Sequence, residues 1–279
     1  MKIGGHLSVA GGYHHALTKT KEIGGNALQI FSSSPRSWQS VTPTPEAIQT
    51  FVSMKNELSI DPIYFHASYL VNLANGEWGG DQSVTKICNE LNLASQMGIK
   101  GTIIHLGSFK SKENPTQDQY KILFSHIENI LKNSPSDTYF IAENAGSHKI
   151  GASIEELGLI VKTMRDDRIK ICIDTCHAHA AGYDLSTSES FDSFWTLFDK
   201  EIGLKNLEVF QINDSRDPLG SFRDRHENLG QGNIPQSVFE QLVNDKRTRN
   251  LPFILEVPGF EKLGPDKQNI DILKSFVQS

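Results

Sequence analysis

The chain has 279 residues, 38% of them hydrophobic and 22% charged, with a formal net charge of -6. That length suits one large α/β domain, and at a mean hydropathy of -0.34 no stretch approaches the ~20 apolar residues of a membrane span. The acidic balance alone argues against a nucleic-acid partner, an objection that divalent ions held among carboxylates would weaken. The opening residues read as a strand without a signal-peptide core, so an intracellular, cytoplasmic location with no membrane partner is expected. Cys88, Cys172 and Cys176 are an odd number without the spacing of a zinc knuckle, and they read as reduced core thiols.

Eight strand-like runs follow one another at 2–8, 26–33, 63–67, 101–107, 139–145, 169–177, 207–214 and 252–258. Helix-compatible segments lie between them, most clearly at 45–57, 82–97, 117–132, 153–164, 191–201 and 235–243, with 266–277 closing the series. Several open on Ser, Thr or Pro, as helix N-termini do. No glycine-rich phosphate fingerprint follows the first strand and no linker divides the chain. The pattern predicts a single (β/α)8 TIM barrel over residues 1–279, with its chemistry at the C-terminal ends of the strands.

The run Ile169-Lys-Ile-Cys-Ile-Asp174-Thr-Cys-His177 is the clearest of these strands. Alternation puts Cys172 and Asp174 on one face and Ile171 and Ile173 on the other. The same parity pairs Tyr64 with His66, Ile103 with His105, Ile141 with Glu143, and Ile254 with Glu256. After the seventh strand, Asp224 and His226 stand two apart, close enough to chelate one ion. A lone histidine at a barrel end is more often structural than a ligand. As a set, however, His66, His105, Glu143, Asp174, His177, Asp224, His226 and Glu256 form a thiolate-free imidazole and carboxylate collection suited to Zn, Mn or Fe. His6 has a weaker claim, as a residue behind the ligands.

The segments His66-Ala-Ser-Tyr-Leu-Val-Asn-Leu-Ala, His105-Leu-Gly-Ser, Glu143-Asn-Ala-Gly, Cys172-Ile-Asp-Thr-Cys-His-Ala-His and Asp224-Arg-His-Glu-Asn-Leu-Gly-Gln-Gly strongly resemble endonuclease IV, the zinc-dependent apurinic/apyrimidinic endonucleases. The resemblance runs from end to end. It implies a three-zinc cluster that cuts double-stranded DNA on the 5′ side of an abasic site and leaves a 3′-hydroxyl, with trimming of blocked 3′ ends besides. It also implies a monomer. Carried over by position, His66, His105 and Glu143 would hold one zinc, and His177, Asp224 and His226 another. Glu143 would bridge to a further zinc shared with Asp174, Glu256 and residue 211. Glu143 and Glu256 would be the catalytic carboxylates, and Arg36, Tyr69 and Leu70 the side chains that enter the duplex.

One position departs from the family pattern. Gln211 stands where the family places a histidine, and an amide oxygen is a weaker, neutral ligand that would favour a loosely held or harder ion such as Mn. Two competing functions follow. One is an abasic-site binding protein with impaired cleavage. The other is a sugar isomerase or epimerase, which would require the histidine that Gln211 replaces.

Overall fold

A computed structural model describes residues 1–109 and 116–278. Its elements are β1 (Lys2–Leu7), α1 (Tyr13–Glu22), β2 (Ala27–Phe31), α2 (Pro45–Glu57), β3 (Ile63–His66), α3 (Trp78–Met97) and β4 (Gly101–Ile104). Then come α4 (Gln117–Lys132), β5 (Tyr139–Glu143), α5 (Ile154–Met164), β6 (Ile169–Asp174), α6 (Thr175–Ala180) and α7 (Ser188–Glu201). The chain finishes with β7 (Leu207–Gln211), β8 (Asp214–Ser215), β9 (His226–Glu227), α8 (Gln236–Asn244), β10 (Pro252–Leu255) and α9 (Lys267–Ser275). Parallel strands close a barrel in the order β1-β10-β7-β6-β5-β4-β3-β2, and the expected TIM barrel is what forms.

Local chemistry sets many of the helix starts. The Thr44 side chain accepts from Ala47 N ahead of Pro45, whose missing N–H costs nothing at a first turn. Thr116 and Gln119 cap α4 reciprocally, as Thr187 and Ser190 cap α7. Two sequence expectations need correction. The sixth strand stops at Asp174 rather than running to 177, because the Asp174 side chain accepts from His177 N at 3.0 Å and starts α6. His177 is therefore a helical residue. The seventh strand stops at Gln211, and Asp214 and Ser215 pair instead with β9. Helix α1 carries no strong periodicity, yet buries Ala16, Leu17 and Thr20.

Alternation sorts the barrel strands into an outer and an inner face. Phe65, Ile104, Ala142, Ile171, Ile173, Phe210 and Phe253 face outward into the main core beneath the helices. Ala27, Tyr64, Ile103, Ile141, Cys172, Val209 and Ile254 form a separate, fully buried cluster inside the barrel. Each such aliphatic or aromatic side chain contributes roughly 1.5–3 kcal/mol on burial. At Gly4, on the eighth strand of this ring, a Cβ would sit 1.7 Å from Ala27 O, so β1 and β2 close the barrel only over a glycine.

Candidate metal centre

One pleat step beyond that apolar ring, each strand presents a polar side chain at the barrel's C-terminal end. They are His6, Gln29, His66, His105, Glu143, Asp174, Gln211 and Glu256, taken from β1 through β10 in chain order. Glu143, Asp174, Gln211 and Gln29 have no exposed surface. Such a concentration of buried polar groups is costly unless the groups compensate one another or bind an ion.

The compensation has a definite geometry. His66 Nε2 lies 3.2 Å from Glu143 Oε2 and His105 Nε2 lies 3.6 Å from the same oxygen. His66, His105 and Glu143 each offer a ligand atom within 4.8 Å of the others, the dimensions of a metal site. A further group joins Asp174, His177 and His226 on the same criterion. Asp224 Oδ1 lies 3.0 Å from His177 Nε2 and 3.3 Å from His226 Nε2. Yet His177 Nε2, His226 Nε2 and Glu143 Oε1 are buried with no aligned hydrogen bond. Close atoms that are not aimed at one another are what ligands converging on a common centre leave behind. The His66, His105, Glu143 set and the Asp174, His177, His226 set thus both fit zinc in residue type and spacing, with Asp224 against both imidazoles of the second.

The charge balance of these groups follows from their neighbours. Burial opposes ionisation of Glu143, but His105, His177 and His66 around it hold its carboxyl well below the usual range. Burial pushes the His105 imidazole down to about 4, as a neutral ligand requires. Burial works against charge on His66 too, but the Glu143 and Glu256 carboxylates raise it to about 9. For His226, burial is likewise outweighed by Asp174 and Asp224, which raise it to about 9. The carboxylates therefore demand positive charge nearby. Protons supply it here, and bound cations would displace them.

Sequence reasoning missed the residues that hold the ligands. Asn213 donates to Asp174 Oδ2 at 2.6 Å and accepts from Glu256 N at 2.7 Å, pinning ligands from two strands. Asn144 Oδ1 accepts from Asp174 N at 2.6 Å, and its carbonyl lies 2.9 Å from His177 Nδ1, which leaves Nε2 for the centre. The Asp214 carboxylate accepts from Gly230, Gly232 and Ile234 and so folds the loop that carries Asp224 and His226. Gly146 passes so close that a Cβ would lie 2.9 Å from His177 Cα. His6 does stand behind Glu256, its Nδ1 2.7 Å from Oε1. Gln29 was overlooked entirely. A polar residue of inward parity in the second strand was the available signal. Cys176, Asp224 and His226 make a third metal-sized group, and Glu256 and Gln211 fall in none of the three.

Above the polar layer opens a cavity of about 880 Å3 lined by His6, His66, His105, His177, Asp224 and Glu256 among others. Tyr69, Leu263 and Val41 at its mouth are exposed, Tyr69 to 63% and Leu263 to 86%, and Leu70, next to Tyr69, is 37% exposed outside the lining. Tyr69 N and the Ser68 hydroxyl both donate to Pro35 O, at 3.1 and 2.7 Å, which ties the Tyr69–Leu70 turn to the loop bearing exposed Arg36.

Comparison with known proteins agrees with this geometry. Residues 17–276 match the family described as xylose isomerase-like TIM barrel, a class of (β/α)8 proteins with their sites at the barrel mouth. Probable endonuclease 4 of Persephonella marina is 34% identical over all of this chain and 98% of its own length. Apurinic-apyrimidinic endonuclease 1 of Saccharomyces cerevisiae is 35% identical over 92% of this chain and 71% of its own. Endonuclease IV from Thermus thermophilus superposes with a TM-score of 0.87 at 31% identity, covering 99% of this chain and 98% of that one. The chain belongs to the endonuclease IV family of DNA-cleaving hydrolases. A D-tagatose 3-epimerase-like protein shares the fold, with a TM-score of 0.75 at 20% identity.

Proposed function

We propose that this chain, as one domain over residues 1–279, hydrolyses the phosphodiester 5′ to an abasic site in double-stranded DNA and leaves a 3′-hydroxyl. The reading is carried by the convergence of two zinc-sized ligand sets at the floor of a cavity whose rim bears exposed Tyr69, with Leu70 next to it in the chain and Arg36 on the loop tied to that turn. Trimming of blocked 3′ ends belongs to the same reading, because it breaks the same kind of bond. The protein acts as a monomer inside the cell. Among the described residues no helix is long and apolar enough to cross a membrane.

His66, His105 and Glu143 would hold one zinc ion, and His177, Asp224 and His226 a second. Bound zinc supplies charge that neutralises the phosphodiester, activates water and stabilises the departing 3′-oxygen. The protein's own side chains do the rest. Burial disfavours charge on Glu256, but the His6 ring beside it brings its carboxyl down to about 2, so it can accept a hydrogen bond from the attacking water and orient it. Glu143, between the two imidazole sets, fixes their separation. Tyr69 and Leu70 wedge the duplex, and Arg36 contacts the backbone. An abasic nucleotide has no base to unstack, so turning it into the cavity costs less than extruding an intact one. Recognition then rests on deformability.

The test is incision of a duplex carrying one abasic site by wild type and Glu256→Gln, with the product ends identified and zinc measured on the same samples. The proposal expects a 3′-hydroxyl and a 5′ nick that Glu256→Gln reduces by on the order of 10²- to 10³-fold. Tight binding of the abasic duplex without nicking would instead assign a damage-binding protein. A protein that neither binds nor cuts it would overturn the reading.

A further inference from the structure

Gln211 ends β7 at the position where the resemblance to endonuclease IV implies a histidine. Glu256 Oε1 is faced by His6 Nδ1 at 2.7 Å and by the Gln29 amide nitrogen. A carboxylate oxygen only accepts, so Gln29 must present its NH2 to Glu256 and its Oε1 in the opposite direction. Gln29 Oε1 in turn accepts from Gln211 Nε2 at 3.2 Å. One carboxylate therefore fixes two amides in series. The consequence falls on Gln211, whose nitrogen is committed to Gln29 and whose Oε1 is buried without any hydrogen-bond partner.

A fully buried, unsatisfied amide oxygen is costly unless a cation meets it. Register makes Gln211 a direct Cα partner of both Asp174 and Ile254, the latter two residues before Glu256, and makes Glu143 the partner of Cys172, two residues before Asp174. An imidazole at 211 could give one nitrogen to an ion and the other, as N–H, to an acceptor such as Gln29. The amide reproduces that division with an oxygen in place of the nitrogen.

We propose that Gln29 is a positioning residue that locks Gln211 with its oxygen toward a third cation site, completing with Glu143, Asp174 and Glu256 an all-oxygen ligand set that takes a hard divalent ion, manganese before zinc. Oxygen-only sites suit Mg, Ca and Mn, whereas the imidazole-bearing sets to either side suit zinc. This rests on the metal-dependent reading above and deepens it at one site.

The experiment is elemental analysis of metal-stripped full-length protein, reconstituted with two equivalents of zinc and then titrated with manganese followed by EPR. Wild type is expected to bind one manganese per chain beside two zinc ions. Gln29→Leu should weaken only that manganese, by roughly 10- to 100-fold, as loss of a supporting hydrogen bond does. Gln211→His should exchange the manganese for a third zinc. Should Gln29→Leu not fold, Gln211→Leu serves, and is expected to keep two zinc ions and lose the manganese. The inference is overturned if wild type saturates at two ions, with the amide pair standing in for the third, or if either leucine variant binds manganese as wild type does. If no zinc is retained by either imidazole set and the duplex stays uncut, the underlying function fails instead, and the two failures are distinct.

Discussion

Two rings of side chains one pleat apart divide the barrel interior. The lower ring of Ala27, Tyr64, Ile103, Ile141, Cys172, Val209 and Ile254 is apolar and closed, with Tyr64 reaching out only to Glu208 at 2.8 Å. The upper ring of His6, Gln29, His66, His105, Glu143, Asp174, Gln211 and Glu256 is polar at every position. The same strands build both, so what separates packing from chemistry is two residues of chain, a rise of about 7 Å. The lower ring supplies a dry, rigid floor. Against it the carboxylates are poorly screened, which strengthens both their mutual repulsion and their attraction for cations.

The comparison breaks first if the upper ring proves replaceable. Glu143→Ala removes the carboxylate that three imidazoles surround, and nicking of the abasic duplex is expected to fall by at least about 10³-fold, several kcal/mol of transition-state stabilisation. Zinc content measured on the same sample is expected to fall with it. In the lower ring, Ile141→Ala opens a cavity with no polar consequence. It is expected to cost about 3 kcal/mol and to lower Tm by roughly 6–12 °C, while nicking per folded molecule at 20 °C stays within about twofold of wild type, the range of indirect effects. A large loss of activity there would mean that the floor does more than support.

The rim gives a third, smaller effect. Tyr69→Ala and Leu70→Ala remove exposed side chains, so Tm is expected to hold. The preference for abasic over intact duplex, read as a ratio of kcat/KM, is expected to fall by roughly 10- to 30-fold, the worth of one stacking contact.

Much of this organisation is legible in the sequence because alternation is a geometric consequence of the strand. Cys172 and Asp174 share a face whatever the tertiary context, and the ligand parity at His66, His105, Glu143 and Glu256 follows in the same way. What stayed hidden depended on partners far away in the chain. Gln29 reads as an ordinary strand residue until β2 and β7 are brought across the barrel to Gln211. Asn213 and Asn144 look like loop amides until their bonds to Asp174 exist. The sequence reads His177 as a strand residue because an aspartate that ends an alternating run gives no separate sign that it caps a helix.

A second contrast sets two buried glutamates apart. Glu143 is held ionised by imidazoles, whereas at Glu90 on α3 the Ser32 hydroxyl at 2.8 Å, Lys86 and His66 do not outweigh burial, which pushes it up to about 7. Its folded pKa lies above the unfolded value of 4.5, so the protonated native form is favoured. That contribution is complete below about pH 4.5 and is lost as pH rises through about 7. Glu90→Gln stays neutral throughout, so it is expected to match wild type below about pH 4.5 and to exceed it by about 3 kcal/mol at pH 8, roughly 6–12 °C in Tm. Ser32 and Ser33 are held by Glu90 and Lys86 at the root of the loop that carries Arg36. Ionisation at Glu90 therefore loosens a support of the rim and leaves the floor untouched. Thermal melts of both proteins from pH 5 to 8 measure the first consequence, and a KM for abasic duplex that rises with pH in wild type but not in Glu90→Gln measures the second. A Tm difference that is constant across the range would place the proton elsewhere.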